Sequence, residues 1–327
     1  MELATNIGWV ILGLVFLYYG AEWLVQGAAR IAMMFGLSSL VVGLTIVAFG
    51  TSAPELVVSV QANWHDHGDF ALGNVIGSNI CNIGLVLGIA AIIVPIVVHE
   101  EFIKRELPLL VGVSIAMVAA LWDQNVSRFE GALFVVGIIA YSAFCIHAAR
   151  KNPTDPNSDG DETDDDEMAE NRSQQKQLVF DIGLILVGLI ILAVGANRLV
   201  AGGEYLATAL GVSDAVIALT LVALGTSLPE LATTVVACLK GESDMAAGNA
   251  IGSCLFNILC VLGITAIIKP VVSTSLSAID LAVMVAFAIA THLLMRNDRE
   301  LGRLDGILLL IGYVVYIVSL GFRQVPQ

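Results

Sequence analysis

Charge is scarce in this chain. Only 13% of its 327 residues are Asp, Glu, Lys or Arg, and 57% are hydrophobic; an ordinary soluble domain carries about 25% charged residues. That deficit excludes a soluble globular protein and leaves an integral membrane protein, with a lipid bilayer and no nucleic acid as its surroundings. Cysteine is scarce as well. Cys81, Cys145, Cys238, Cys254 and Cys260 all fall in apolar segments, their number is odd, and no CxxC occurs. They read as small apolar packing residues, not as a disulfide framework or a thiolate metal site. Residues 1–6 hold no basic residue, and the apolar run that follows is too long for a cleavable signal. No segment alternates with period two along a ten-residue strand, which disfavours a membrane barrel. The net charge of −14 is itself localised, because nine of the 29 acidic residues lie between positions 155 and 170.

Long apolar runs are what the chain has instead. Ten can be marked, near 6–31, 39–62, 70–95, 106–121, 130–149, 178–206, 215–238, 246–268, 277–295 and 304–321. Most approach the roughly 20 residues that a membrane-spanning helix needs. The expected fold is all-α, with ten transmembrane helices.

Residues 43–98 align on residues 218–273 at an offset of 175 without a gap, and 30 of 56 positions are identical. The same offset maps Gly20 onto Gly195, Gly36 onto Gly211 and Tyr141 onto Tyr316. The chain therefore divides into a first five-helix unit (1–150), an acidic linker (151–177) and a second five-helix unit (178–327). Five is odd, so the second unit enters the membrane from the opposite side. A five-plus-five inverted-topology repeat follows, the architecture of many secondary transporters, with the substrate site at the midplane between repeats. With the N-terminus outside, eleven Lys and Arg residues, among them Arg30, Lys104, Arg105, Lys240 and Arg299, fall on the inner side. Arg128, Lys269 and Arg323 fall on the outer side. This bias places both termini outside and the linker in the cytoplasm. Trp9, Trp64 and Trp122 then lie near the outer interface, where aromatic belts form.

The linker reads as a solvated, disordered tether. One detail competes: Asp155, Asn157, Asp159, Gly160 and Asp161 match the start of an EF-hand loop. Its twelfth position, however, is Asp166 where a Glu is expected, and no amphipathic helices flank it.

The costly residues sit in the second and seventh segments. Gly50, Thr51, Ser52, Pro54 and Glu55 recur as Gly225, Thr226, Ser227, Pro229 and Glu230. An ionised carboxylate at the bilayer centre costs at least about 2.5 kcal/mol. On a helix Thr51 and Ser52 share a face with Glu55, and Ser78 with Asn82, as Ser253 with Asn257, line up on the next helix. Pro54 and Pro229 withhold an N–H from the carbonyls of Gly50 and Gly225 and kink their helices. Freed backbone at membrane depth is tolerated only when buried in protein or lining a polar cavity. Gly73, Gly77, Gly248 and Gly252 allow close helix approach. Every donor in this symmetric set is a hard oxygen, and no His or Cys belongs to it. Such a set suits calcium, magnesium, manganese or alkali cations, and a flexible cage of six to eight oxygens favours calcium over magnesium. Small and hydroxyl residues also serve plain packing in membranes. Packing does not explain two glutamates in equivalent places with the same polar neighbours.

GTSAPE with GNVIGSNICN, and GTSLPE with GNAIGSCLFN, resemble the two alpha repeats of the calcium/cation antiporter superfamily, in its prokaryotic sodium/calcium exchanger branch. The resemblance covers nearly the whole chain. It implies sodium entry in exchange for calcium exit across the cytoplasmic membrane of a bacterium or archaeon, with the ions as substrates and no cofactor. It implies an electrogenic cycle of about three sodium ions per calcium, for which 100 mV is worth about 2.3 kcal/mol per net charge. By the same resemblance Glu55 and Glu230, with the carbonyls of Thr51 and Thr226, hold calcium. Ser52, Ser227, Ser78 and Ser253, with the carbonyls of Ala48 and Ala223, hold sodium. Asn82 and Asn257 line the centre, and the first and sixth helices slide across this core. Family members that co-transport potassium carry Asp at the position of Asn257; asparagine at both places keeps the site at −2 and argues against potassium dependence. Cys254 replaces Asn79 of the first unit, with little expected consequence.

Other readings remain at this level. Protons can replace sodium, because carboxylates in a dry site hold them; the wealth of hydroxyls speaks against it. A channel would need no counter-ion. An intramembrane hydrolase using Ser52 or Ser227 lacks the GxSxG elbow and a matching His or Lys partner. His65, Asp66, His67 and Asp69 have metal-like spacing, but the second unit has KGESD there, so they read as a surface loop. Glu22 and Arg198 lie at near-equivalent places within the first and sixth helices, either partly solvated or at a gate.

Overall fold

The structure is a computed structural model that describes residues 2–151, 164–210, 223–273 and 276–323. Helix α1 (Glu2–Met34) is followed by α2 (Ser39–Thr51), α3 (Ala53–Trp64), α4 (Gly68–Ile93), α5 (Phe102–Asp123) and α6 (Arg128–Lys151). The second half holds α7 (Asp164–Ala209), α8 (Ala223–Gly225), α9 (Leu228–Leu239), α10 (Ser243–Ile268), α11 (Ala278–Asp298) and α12 (Arg303–Arg323). Among the described residues eight helices are long and apolar enough to cross a membrane, and α2 with α3 form a ninth span as a bent pair. Helix α9 is shorter, at 12 residues. The seventh apolar segment, 215–238, is described only from residue 223 onward.

Local chemistry sets the breaks. The chain bends by 43° between α2 and α3, because Pro54 has no N–H to continue the helix. Ser52 at the bend has φ −84° and ψ 5°; Ser227, between α8 and α9, has φ −90° and ψ 4°. Helix α6 starts at a reciprocal cap: the Ser127 hydroxyl donates to Glu130 Oε2 at 2.7 Å, and the Glu130 N–H donates back to Ser127 Oγ at 3.3 Å. Asp305 takes the Gly302 N–H at 3.0 Å at the matching place before α12. Residues Asn82–Leu87 of α4 and Asn257–Leu262 of α10 are π-helical, a distortion concentrated at functional sites.

Helix α7 corrects the linker reading. Residues 164–177, expected to be disordered, belong to α7. No Gly or Pro occurs between 161 and 182, Glu, Gln, Met, Ala and Lys propagate helix, and acidic residues at a helix N-terminus complement its dipole. Of the EF-hand match, residues 155–163 lie outside the described residues, and Asp166 is in the first turns of α7.

Two short ribbons join the halves. Ile96–Val97 (β1) pairs antiparallel with Glu300–Leu301 (β4), and Asn125–Val126 (β2) pairs antiparallel with Val271–Val272 (β3). Under the offset of 175, β1 becomes β3 and β2 becomes β4, so each ribbon maps onto the other.

Helices α4 and α10 form the centre and are buried almost all round; α1, α5, α6, α7, α11 and α12 bury one face. Backbone meets backbone where α10 crosses α2: a Cβ on Gly248 would stand 2.8 Å from the Leu40 carbonyl oxygen, and one on Gly252 would stand 2.9 Å from Leu44 Cα. A Cβ on Gly73 or Gly77 meets no described atom within 4 Å; the chain segment equivalent to 40–44 is 215–219, outside the described residues.

Helices α1 and α7 pack antiparallel along a glycine seam. Gly13, Gly20 and Gly27 recur every seventh residue, and the offset carries them onto Gly188, Gly195 and Gly202. A Cβ on Gly20 would lie 2.9 Å from the Gly188 carbonyl oxygen, and one on Gly195 would lie 2.9 Å from the Leu17 amide nitrogen. Neither neighbour can move without moving a helix. Gly20→Leu and Gly195→Leu should each destabilise the protein by about 1–3 kcal/mol or more. A thermal-unfolding midpoint in detergent that stays at the wild-type value would show that the seam is looser than this.

Candidate functional site

The helix breaks of both halves lie just before their buried carboxylates. Glu55 on α3 and Glu230 on α9 are fully buried, as are Asn82 and Asn257 on the central helices, and Thr51, Ser52, Ser78, Ser227 and Ser253 are nearly so. The two halves interlock here. Ser52 Oγ donates to Glu230 Oε1 at 3.1 Å, and Thr51 Oγ1 donates to Asn249 Oδ1 at 3.2 Å. Thr51 Oγ1 also lies 3.4 Å from Ser253 Oγ. The Ala48 carbonyl accepts the Ser52 N–H at 3.0 Å and faces Thr51 Oγ1 at 3.4 Å. Ala223 opens the short helix α8.

Much of this buried polar surface has no partner among the described residues. Both Glu55 carboxylate oxygens, Glu230 Oε2, the hydroxyls of Ser78, Thr226 and Ser227, and both amide atoms of Asn82 and Asn257 make no hydrogen bond. Thr226 and Ser227 face the Glu55 carboxylate. Buried polar atoms are ordinarily satisfied, and a buried carboxylate needs a compensating charge. A cluster of orphan oxygens around two carboxylates is therefore chemically suited to a cation that comes and goes. No group of three or more His, Cys, Asp or Glu side chains converges among the described residues. The donor set is then two carboxylates completed by hydroxyl, amide and carbonyl oxygens, which fits hard cations.

Two residues of this site escape the sequence reading. Asn74 Nδ2 donates to the Glu55 carbonyl at 3.3 Å and to Ser59 Oγ at 2.9 Å. Asn249 Nδ2 does the same with the Glu230 carbonyl at 3.3 Å and Thr234 Oγ1 at 2.9 Å. Each asparagine pins the helical turn that bears its own half's glutamate. The signal was present, since both follow the glycine of a repeated GN pair at the offset of 175. Cys254 reaches the Asn79 carbonyl at 3.8 Å, a contact between the central helices.

The remaining candidates lie elsewhere. Asp66 is paired with Lys269 Nζ at 2.6 Å, and this ammonium holds its carboxyl below the usual carboxylate range. Asp69 accepts the Ser273 hydroxyl. The acids of the His65–Asp69 loop thus tie it to the strand around Val271–Val272. Glu22 on α1 meets Lys240, which caps α9, at 3.0 Å. Arg198 on α7 stacks over the Trp9 ring at 4.4 Å. A fully buried carboxylate outside the site also went unread: Glu106 takes the Tyr141 hydroxyl at 2.5 Å and Arg105 Nε at 2.6 Å.

The family model described as "Sodium/calcium exchanger protein" matches twice, at residues 5–147 and 180–322, two stretches that are themselves 175 residues apart. The chain is 40% identical to the putative antiporter CaxA of Alkalimonas amylolytica over 311 residues, covering 94% of this chain and 96% of that one. It is 32% identical to the sodium/calcium exchanger MaX1 of Methanosarcina acetivorans, covering 97% and 99%. Its structure is similar to that of the sodium-calcium exchanger NCX_Mj, with a TM-score of 0.81, 35% identity, and coverage of 97% and 99%.

Proposed function

This chain belongs to the sodium/calcium exchanger protein family, and on that premise we propose that it is a secondary transporter exchanging sodium for calcium by alternating access. The observation that carries the proposal is the orphan oxygen cluster around Glu55 and Glu230. Two carboxylates neutralise one calcium ion. Hydroxyls and carbonyls, which carry no charge, suit sodium better than protons. In this reading Glu55 and Glu230, with the carbonyls of Thr51 and Thr226, bind calcium. Ser52, Ser227, Ser78 and Ser253, with the carbonyls of Ala48 and Ala223, bind sodium, and Asn82 and Asn257 line the centre.

The architecture proposed is five-plus-five, inverted in the membrane, with both termini outside and the acidic linker in the cytoplasm. The exchange of β1 for β3 and β2 for β4 supports it, since a two-fold axis between the halves requires such reciprocity. The glycine seam supports movement of α1 and α7 as one body against the core. About three sodium ions per calcium would move one net charge per cycle, worth about 2.3 kcal/mol at 100 mV.

The test is calcium-45 uptake into sodium-loaded proteoliposomes with pH clamped. Uptake should require the sodium gradient, be indifferent to potassium at a fixed potential, and be faster when a diffusion potential makes the interior positive. Uptake that follows a pH gradient and ignores sodium would replace this reading with proton/calcium exchange.

A further inference from the structure

The two halves carry the same polar residues but do not bond in the same way. On one side of the pseudo-symmetry, Thr51 reaches Asn249 at 3.2 Å and Ser253 at 3.4 Å, and Ser52 reaches Glu230 at 3.1 Å. Shifting each residue by 175 gives the reciprocal set: Thr226 toward Asn74 and Ser78, and Ser227 toward Glu55. In that set the hydroxyls of Thr226, Ser227 and Ser78 and both oxygens of Glu55 are without partners among the described residues. One set is closed and its mirror is open.

The asparagines are the fixed points of both sets. Each uses its amide nitrogen on its own half, holding the glutamate carbonyl and a hydroxyl one turn further on, with nearly identical distances in the two halves. What differs is whether the threonine of the opposite half has docked. A side-chain hydrogen bond is worth only about 1 kcal/mol net, which suits an element that must open and close at each cycle better than a permanent tie.

We infer that Asn74 and Asn249 are positioning residues of a pair of alternating clasps: Thr51 docks on Asn249 in one access state, and Thr226 docks on Asn74 in the other. The closed clasp draws Ser52 onto Glu230 and engages Oε1 of that carboxylate, while the open half presents Glu55, Ser78, Thr226 and Ser227 together to an arriving cation. Movement between access states then exchanges one set of three contacts for the other. The inference rests on the exchange reading above.

Thr51→Val and Thr226→Val test it, because valine keeps the shape and the backbone carbonyl and removes only the hydroxyl. Calcium KM is measured at each membrane face, using right-side-out and inverted vesicles. Loss of one clasp depopulates the state it holds, so KM rises at the face to which that state opens and falls at the other. Thr51→Val should shift the ratio of the two KM values about fivefold, the effect of one hydrogen bond, and Thr226→Val should shift it about as far in the opposite direction. Thr51→Ser, which restores the hydroxyl, should return the ratio to the wild-type value. A merely structural role would lower yield or maximal rate and leave the ratio in place. If Thr51→Val does not fold, Thr226→Val still decides: it loses no bond of the described state, yet must move the ratio. An unmoved ratio, or shifts in the same direction for both variants, overturns the clasps. Wild-type vesicles lacking sodium-dependent calcium flux would overturn the exchange reading and the clasps with it.

Discussion

Replacing Glu55 by glutamine should abolish calcium exchange, and replacing Glu230 should do the same. Both side chains are fully buried, so water cannot compensate an ion placed between them. A calcium ion facing two carboxylates is neutralised; facing one carboxylate and one amide, it retains a net positive charge in a medium of low dielectric. At a separation of about 4 Å and an effective dielectric of about 20, each unit-charge pair is worth about 4 kcal/mol, and the calcium charge doubles it. Every 1.4 kcal/mol is about tenfold in affinity, so the loss exceeds about a thousandfold and flux falls to background. Glutamine has nearly the same shape and, at position 230, still offers an oxygen to the Ser52 hydroxyl, so the fold should survive. Calcium-45 counterflow in proteoliposomes reads the loss, with monodispersity and melting temperature as controls. Exchange retained in either variant would remove the central assignment.

The second large effect lies outside the site. Glu106→Leu should destabilise the protein by about 3 kcal/mol, the low end of what breaking a buried charge pair costs. Glu106 has no exposed surface, and its two oxygens are held by the Tyr141 hydroxyl and by Arg105 Nε. Leucine leaves the hydroxyl of Tyr141, itself buried, without an acceptor. Arg105 loses its counter-charge but is one-third exposed and stacks on Phe144 at 5.1 Å, so it recovers some hydration, and the cost stays at the low end. Glu106→Gln keeps an acceptor and should cost about half as much. Thermal unfolding in detergent measures both, and calcium flux per folded molecule should be unchanged. A Glu106→Leu protein that melts with the wild type would show that the network contributes nothing.

Glu106 also shows why part of this protein could not be read in advance. It ends the run HEEFIKRE, which looks like a solvated helix start, and Glu100 in the same run does sit among Lys104 and Arg299 near the surface. Its main partner is 35 residues away on α6, and the repeat gives no hint, because the equivalent position is Leu281. Residues 164–177 are a related case. Their charge spoke for disorder, whereas their lack of Gly and Pro and their covalent continuation into a membrane helix favour helix. The glycine seam was visible as a spacing of seven, but which face of α1 it occupies, and that it meets its own copy on α7, are matters of packing.

The sequence by itself determined the class, the repeat and the chemistry of the centre. Each is written in terms that need no partner: the length of an apolar run against the thickness of a bilayer, an identity at constant offset, and the cost of a carboxylate in hydrocarbon. The tertiary structure decided which oxygens meet. Asn74 and Asn249 matter because of what lies across the helix crossing, and no local pattern records that. Above all, the sequence is nearly symmetric at the site and the structure is not. Thr51 and Thr226 are the same residue in the same context, yet one is docked and the other is not. The polar residues that the two copies share do not say which contact set is closed; the packing of the whole chain, in which the copies differ, chooses between the two arrangements.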